Sequence, residues 1–346
     1  MAVGNTLKRV RFVKDPRVRI IDDNTVFFIA KDSAVTYYDA RSDQLKSIIR
    51  DLKTKKWTDA VAEAFEKRNP WLCKIVLDTS RSDFVFLLPT KTEDLAVDLG
   101  AGWGQVAIPL SRFCDVVAVE GNADKLEIMK AIADQEKRKN IGFVLGNILD
   151  LPFEKSQFDL AILNGVLEWV GSYGGSNDPV ELQLDALKKA YDLLVPGGHL
   201  YIGIENKYGL KYLLGEIDDH TGLKDFTYLP IEKAKRVYMR ETGRDLTVFV
   251  HSKDRYESML RNSGFSSIRF YGAFPDYKFP KVMIDLSSPE AFEYFLEKMD
   301  FVDEHKGAED GSRSFYDGKL RDIYPILLSV GALQHFCPSY AIIARK

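Results

Sequence analysis

Between Glu93 and Asn206 the chain alternates short apolar runs with stretches of helical periodicity: EDLAVDL, a helix from Gln105, DVVAVE, a helix from Asn122, IGFVL, FDLAIL, a helix from Pro179, and HLYIGI. Apolar runs of this length, each separated from the next by a helix, predict a parallel sheet covered on both faces. One helix start is explicit. Asp178 stands at the N-cap, Pro179 at the first helical position and Glu181 at the third, a capping box that satisfies otherwise orphaned amides. The same helix stops at Val195-Pro196-Gly197-Gly198.

Other segments flank this alternation. Residues 17–39 carry two β-rich runs around Asp22-Asp23-Asn24 and then more extended chain. From Ser42 to about Ser82 the apolar spacing is helical. Residues 1–90 are therefore expected to form an accessory module of hairpin plus helices, and residues 91–346 the main domain. Two stretches break the alternation, at about 206–250 and 275–337. Between them Ser252 opens a helix that ends near Ser263-Gly264, and SSIRFYGAF reads as a strand. The second stretch holds PEAFEYFLEKMDFVDEH, the loop GAEDGSRS and an apolar helix DIYPILLSVGAL. SYAIIAR then supplies a last strand. The two insertions are expected to roof the carboxyl edge of the sheet.

A chain of 346 residues, 45% hydrophobic and 29% charged, can bury a large core, so neither disorder nor a need for covalent staples is expected. Its 48 basic and 51 acidic residues leave a formal charge of −3, too little for a global field that gathers nucleic acid or anionic lipid. Lys8, Arg9, Arg11, Lys14, Arg17 and Arg19 face only Asp15 in the first twenty residues. They are read as a solvated edge hairpin in preference to a phosphate-binding arm. Cys73, Cys114 and Cys337 lie far apart in apolar surroundings, as reduced core thiols of a cytoplasmic protein do. No signal-peptide core and no apolar run of about 18 residues occurs, so neither secretion nor membrane spanning is expected.

The sharpest chemical signal is Val97-Asp98-Leu99-Gly100-Ala101-Gly102-Trp103-Gly104-Gln105, at the end of the first parallel strand. Glycines at 100, 102 and 104 let the backbone turn tightly and approach a ligand. A dinucleotide fingerprint would need glycine at 105, where glutamine stands. The GxGxG spacing after Asp98, with Glu120 closing the second strand in VAVEGN, resembles class I S-adenosylmethionine-dependent methyltransferases. The resemblance covers roughly 91–273 and the last strand. It implies a Rossmann-like seven-stranded sheet with a C-terminal antiparallel strand, and S-adenosylmethionine as cofactor. Asp98, Gly100, Ala101, Gly102, Gly104 and Gln105 would cradle that cofactor, and Glu120 beside Gly121 would take its ribose hydroxyls. Gly146-Asn147-Ile148-Leu149-Asp150-Leu151-Pro152-Phe153 is similar to the family's GDAxDLPF segment, with Asn147 in place of the acid that meets the adenine amine; its amide oxygen can still accept. Asn164 ends the fourth strand, over which the family delivers the methyl group.

Glu205-Asn206-Lys207-Tyr208-Gly209-Leu210-Lys211-Tyr212, Asp218-Asp219-His220-Thr221-Gly222 and Phe274-Pro275-Asp276-Tyr277-Lys278-Phe279-Pro280 resemble a subfamily associated with bacterial surface-glycan and lipopolysaccharide assembly. That implies O-methylation of a carbohydrate or glycan-linked hydroxyl. The alternatives are a small-molecule oxygen or nitrogen acceptor, or a non-catalytic cofactor-binding protein. A nucleic-acid acceptor is not expected, because Asn164-Gly165-Val166-Leu167 stands where an Asn/Asp-Pro-Pro-Tyr amine motif would. A neutral hydroxyl needs a base within reach. His220 is the candidate, with Glu205 and Asp219 to orient it, and an ordinary imidazole would titrate near pH ~6.5. The alternative for Asp218–Gly222 is a turn and helix cap. No metal is expected, since adjacent acids rarely converge on one ion. His251 reads as a local hydrogen-bonding group. Tyr201, Tyr208, Tyr212, Tyr228, Tyr271 and Tyr277 suit either an acceptor site or packing. Oligomeric state is not encoded legibly.

Overall fold

A computed structural model describes residues 6–28, 40–173, 178–298 and 312–346. The strands are β1 (Val18–Asp22), β2 (Thr25–Phe28), β3 (Leu95–Leu99), β4 (Asp115–Glu120), β5 (Ile141–Leu145), β6 (Phe158–Asn164), β7 (Leu194–Glu205), β8 (Ser266–Phe274), β9 (Val282–Asp285) and β10 (Ser339–Arg345). They form one sheet in the order β1-β2-β5-β4-β3-β6-β7-β10-β8-β9. From β2 to β7 every neighbouring pair is parallel, and β10 lies antiparallel between β7 and β8. The order leaves β3 at the centre with the glycine turn at its carboxyl end, where open α/β sheets bind ligands.

The hairpin β1–β2 belongs to this sheet, β2 pairing with β5 over Thr25–Phe27. The basic residues that precede it meet acids. Arg9 pairs with Asp115 at 2.6 Å, Arg11 with Glu154 at 3.2 Å, and Arg17 with both Asp15 and Asp150 at 2.6 Å. These arginines are thus tied to the main domain ahead of the hairpin, where a solvated edge hairpin was expected. The expected extended chain at 29–39 and most of the loop GAEDGSRS lie outside the described residues.

Helices α1 (Ser42–Asp51), α2 (Trp57–Phe65), α3 (Pro70–Leu77), α4 (Ala107–Leu110) and α5 (Ala123–Gln135) pack on one face of the sheet, with α6 (Pro179–Leu193) on the other. Asp178 caps α6, its carboxylate accepting from the amides of Val180 and Glu181. A 3₁₀ stretch, Ser80–Leu87, lies against β7, where the Phe84 ring stacks on Tyr201 at 3.6 Å and 9°. Register places Asp98 of β3 beside Ile162 of β6, and Ile162 beside Tyr201 of β7. Asn164 follows two residues after Ile162 on that face and donates through Nδ2 to the Arg81 carbonyl at 3.2 Å. The N-terminal helical segment thus borders the carboxyl edge.

After β7 the first insertion carries α7 (Leu210–Leu213) and α8 (Ile231–Thr242), with a small core of Phe226, Ala234, Leu246 and Phe249. Ser252 then caps α9 (Lys253–Asn262). The second insertion contains β9, α10 (Pro289–Lys298) and α11 (Ser312–Ser329). The insertions meet through Lys211–Asp276 at 3.2 Å and Lys278–Asp219 at 3.3 Å.

The three cysteines are free and buried. Among the described residues, no helix is long and apolar enough to cross a membrane. Phe84 is fully buried between the N-terminal helices and Tyr201. Phe84→Ala should therefore destabilise the fold by about 3–5 kcal/mol, measured as a lowered urea midpoint with an unchanged slope.

Candidate functional site

The glycine turn follows from backbone sterics. Gly100, Gly102 and Gly104 have φ of +83°, +57° and +86°, which side chains disfavour. Their surroundings differ. A Cβ on Gly100 would lie 2.8 Å from Val166, and one on Gly104 would lie 2.8 Å from Ile108, whereas one on Gly102 would meet nothing closer than Gln105 Oε1 at 3.6 Å. Gly100 and Gly104 are small so that the turn can pack, and Gly102 leaves an open side.

Glu120 braces this turn from the end of β4. Its Oε2 accepts from the Gly102 amide and its Oε1 from the Asn122 amide, both at 2.8 Å. Asp98 is buried beneath the turn, with Oδ2 unpartnered among the described residues. Burial and the neighbouring Glu120 push its carboxyl up to about 7, against the Ala107 amide and the Arg81 cation, which pull it down.

Ala101 and Ile148 are buried beside this turn and Gly121 is exposed. Gln105 Oε1 accepts from the Trp103 amide at 3.2 Å. Asn147 uses Oδ1 to accept from the Leu149 amide at 2.9 Å, so this oxygen shapes the turn that follows β5. Asn164 Oδ1 is buried without a partner among the described residues.

A second cluster lies past the ends of β6 and β7. Glu168, in the 3₁₀ stretch Leu167–Tyr173, and Glu205, the last residue of β7, are both fully buried, and in each Oε2 makes no hydrogen bond among the described residues. His220 Nε2 stands 3.6 Å from Glu205 and 3.8 Å from Glu168, with its ring edge on Trp169 at 5.1 Å. The Asp218 carboxylate accepts from the His220 amide at 3.0 Å and the Thr221 amide at 2.7 Å, building the turn that presents the imidazole. Lys278 donates to Glu205 and to Asp219, the latter at 3.3 Å. Tyr277 donates to Glu168 at 3.4 Å.

Burial alone would lower the His220 pKa, but Glu205, Glu168 and Asp218 outweigh it and raise it to about 9. The sign for stability follows: this favourable charge is fully present below the unfolded value of ~6.5 and is lost as pH rises through about 9. Glu168 is raised above the usual carboxylate range, first by burial, despite His220. Lys278 is raised well above its ordinary value; burial opposes the shift, and Asp276 and Glu205 more than compensate.

His220, Glu205 and Asp219, proposed from sequence as base and orienting acids, are thus brought together. Glu168 and Lys278 were missed. Glu168 sits in the apolar run GVLEWV, where a lone acid was the available signal. Donor atoms of Glu168, Glu205 and His220 lie within 4.8 Å of one another, as do those of Glu205, Asp219 and Asp276. The adjacent acids Asp218 and Asp219 do diverge: one holds a turn and the other faces Lys278. His251 contacts Gln183 Oε1 at 2.7 Å, its pKa pushed down to about 3 chiefly by burial. Tyr201, Tyr212 and Tyr277 are core residues, and Tyr208 is exposed.

Residues 97–202 match the family model described as a methyltransferase domain. The fold is that of the class I methyltransferases. The cofactor expected from the glycine motif is S-adenosylmethionine. The open side of Gly102 and the unpartnered Asp98 and Asn164 oxygens along one sheet edge fit such a ligand. A demethylmenaquinone methyltransferase of Lactococcus lactis is 34% identical over 108 residues, which are 30% of this chain and 39% of that protein. A 2-phytyl-1,4-naphtoquinone methyltransferase of Trichormus variabilis is 32% identical over 110 residues, 30% of this chain and 48% of that one. The chain thus spans less than half the length of these relatives. A Haemonchus contortus phosphoethanolamine N-methyltransferase 2, solved with S-adenosyl-L-methionine, superposes with a TM-score of 0.42 at 15% identity, covering 87% of this chain and 60% of that one.

The two ligand-side residues should respond differently. Gly102→Val adds strain of about 1–2 kcal/mol and obstructs the open side, so cofactor affinity falls more than stability. Glu120→Ala unbraces the turn and, with Glu120 as the expected ribose acceptor, should cost about 1.5–3 kcal/mol of affinity. Calorimetric titration with S-adenosylhomocysteine alongside thermal melts separates the two losses.

Proposed function

We propose that this protein is an S-adenosylmethionine-dependent methyltransferase acting on a hydroxyl acceptor held between the carboxyl edge of the sheet and the two insertions. The observation that carries this reading is the buried imidazole of His220 between Glu168 and Glu205, at the ends of the strands that border the cofactor turn. Bound there, the cofactor supplies a sulfonium methyl group for in-line displacement. A neutral acceptor hydroxyl placed beside that methyl group would have to give up its proton to a base. His220 takes it through Nε2, while Glu205 and Glu168 favour the imidazolium that results. Asp218 fixes the loop, and Lys278 holds the Glu205 carboxylate in place.

The sugar or glycan-linked hydroxyl remains the first acceptor class on the motifs at 205–212, 218–222 and 274–280. A non-sugar small molecule is the second reading, favoured by the two relatives named for quinone substrates. Labelled methyl transfer to extracts fractionated into glycan, lipid, protein and small-molecule pools tells these apart.

The pH dependence tests the base. Neutral imidazole is required, so a rate limited by proton removal should rise as pH increases through about 9, well above an unperturbed histidine. Glu205→Gln removes the largest raising influence and should move the inflection downward. His220→Ala should lose roughly 10²- to 10⁴-fold in turnover with cofactor affinity retained. Near-normal turnover with an unshifted profile in that variant would leave alignment of the acceptor as the mechanism.

A further inference from the structure

The first insertion forms a cavity beside His220, with about 360 Å³ of empty space when its open mouth is included. Phe226 and Leu229 from the loop after His220, Ile231 and Ala234 from the start of α8, and Val248 and Val250 from the chain ahead of α9 line it. The wall at 246–250 is tied to the acid cluster. The Phe249 amide donates to the Glu168 carbonyl at 3.2 Å, and Gln183 Nε2 donates to the Phe249 carbonyl at 2.8 Å. His220 belongs to the same lining, so the cavity and the imidazole share one frame.

Most polar groups of this lining already answer one another. Asp218 accepts from Thr221 Oγ1 at 2.9 Å and Thr227 Oγ1 at 2.6 Å, besides the His220 and Thr221 amides. A sugar withdrawn from water needs partners for several hydroxyls and would find few here. Lys207 differs. It lines the cavity half-buried, and its ammonium lies 6.0 Å from the Tyr208 ring centre and in no ion pair among the described residues. Burial lowers its pKa, and no carboxylate offsets that. An anion entering the cavity would meet an unanswered cation at apolar walls.

We infer that this cavity holds the acceptor, and that the acceptor is a small hydroxy acid with an apolar body, its carboxylate at Lys207 and its hydroxyl on the His220 side. This rests on His220 serving the acceptor, and it selects the non-sugar class of the two named above. Apolar walls supply affinity in such a site, and a few polar groups fix orientation.

The probes are the three hydroxybenzoates, their neutral amides, and glucuronate, which keeps charge and hydroxyls without an apolar face. In calorimetric titrations of the protein saturated with S-adenosylhomocysteine, at least one hydroxybenzoate should bind about 10-fold or more tightly than its amide and than glucuronate. Lys207→Met should abolish that preference and leave the amide within about twofold, whereas Lys207→Arg should keep it. Val248→Phe should fill the cavity and weaken acid and amide alike, with S-adenosylhomocysteine affinity unchanged. No binding of any hydroxybenzoate, glucuronate binding as tightly, or an acid preference that survives Lys207→Met would overturn the assignment. So would Lys207-dependent binding of acids none of which takes a labelled methyl group from the S-adenosylmethionine-loaded protein. The base reading fails separately: methyl transfer to the bound acid at equal rates in wild type and His220→Ala would sink it and leave the cavity its ligand.

Discussion

Taking a carboxylate out of water costs several kcal/mol unless a cation or hydrogen-bond donors meet it. Glu205, the last residue of β7, is completely buried, and Lys278 is the group that makes this tolerable. The ammonium is shared among Glu205 from the sheet, Asp219 from the first insertion and Asp276 from its own loop. One side chain therefore ties the last residue of β7 to both insertions. Without that cation, closing the insertions over the strand ends would leave acids facing one another. With it, His220 is kept between Glu168 and Glu205.

The glycine turn solves a different problem at the next strand ends. Its left-handed backbone has to be held in one shape before any ligand arrives. Gly100 and Ala101 amides donate to the Val119 carbonyl at 2.9 Å, and Glu120 takes the Gly102 amide. The group expected to receive the ribose is thus also the group that shapes the loop. Preorganisation of this kind lowers the ordering cost of binding.

The two clusters share one edge of the sheet and differ in electrostatic character. Near β3, the Asp98 and Asn164 oxygens and two Arg81 nitrogens make no hydrogen bond among the described residues. Beyond β6 and β7, carboxylates and cations answer one another, which suits a site that handles a proton. Asn164, between them, belongs to both: its amide nitrogen anchors Arg81 and its oxygen is open.

Much of this was legible in the chain because it depends on local periodicity and on residues close in sequence. Apolar runs of five or six residues between helices dictate parallel strands, GxGxG dictates the turn, and Asp178-Pro179 dictates a helix start. Tertiary structure decided what depends on distance along the chain. The hairpin's place in the main sheet rests on the pairing of β2 with β5 and on Arg17 reaching Asp150, contacts more than a hundred residues apart. Glu168 looked like one acid in an apolar run, and Arg81 like one basic residue in a polar stretch. The His220 loop read as either a base or a turn, and it is a turn that carries the imidazole to two acids. Sequence lists a residue's neighbours along the chain, whereas burial and pKa depend on neighbours in space, and only the folded sheet edge brings those together.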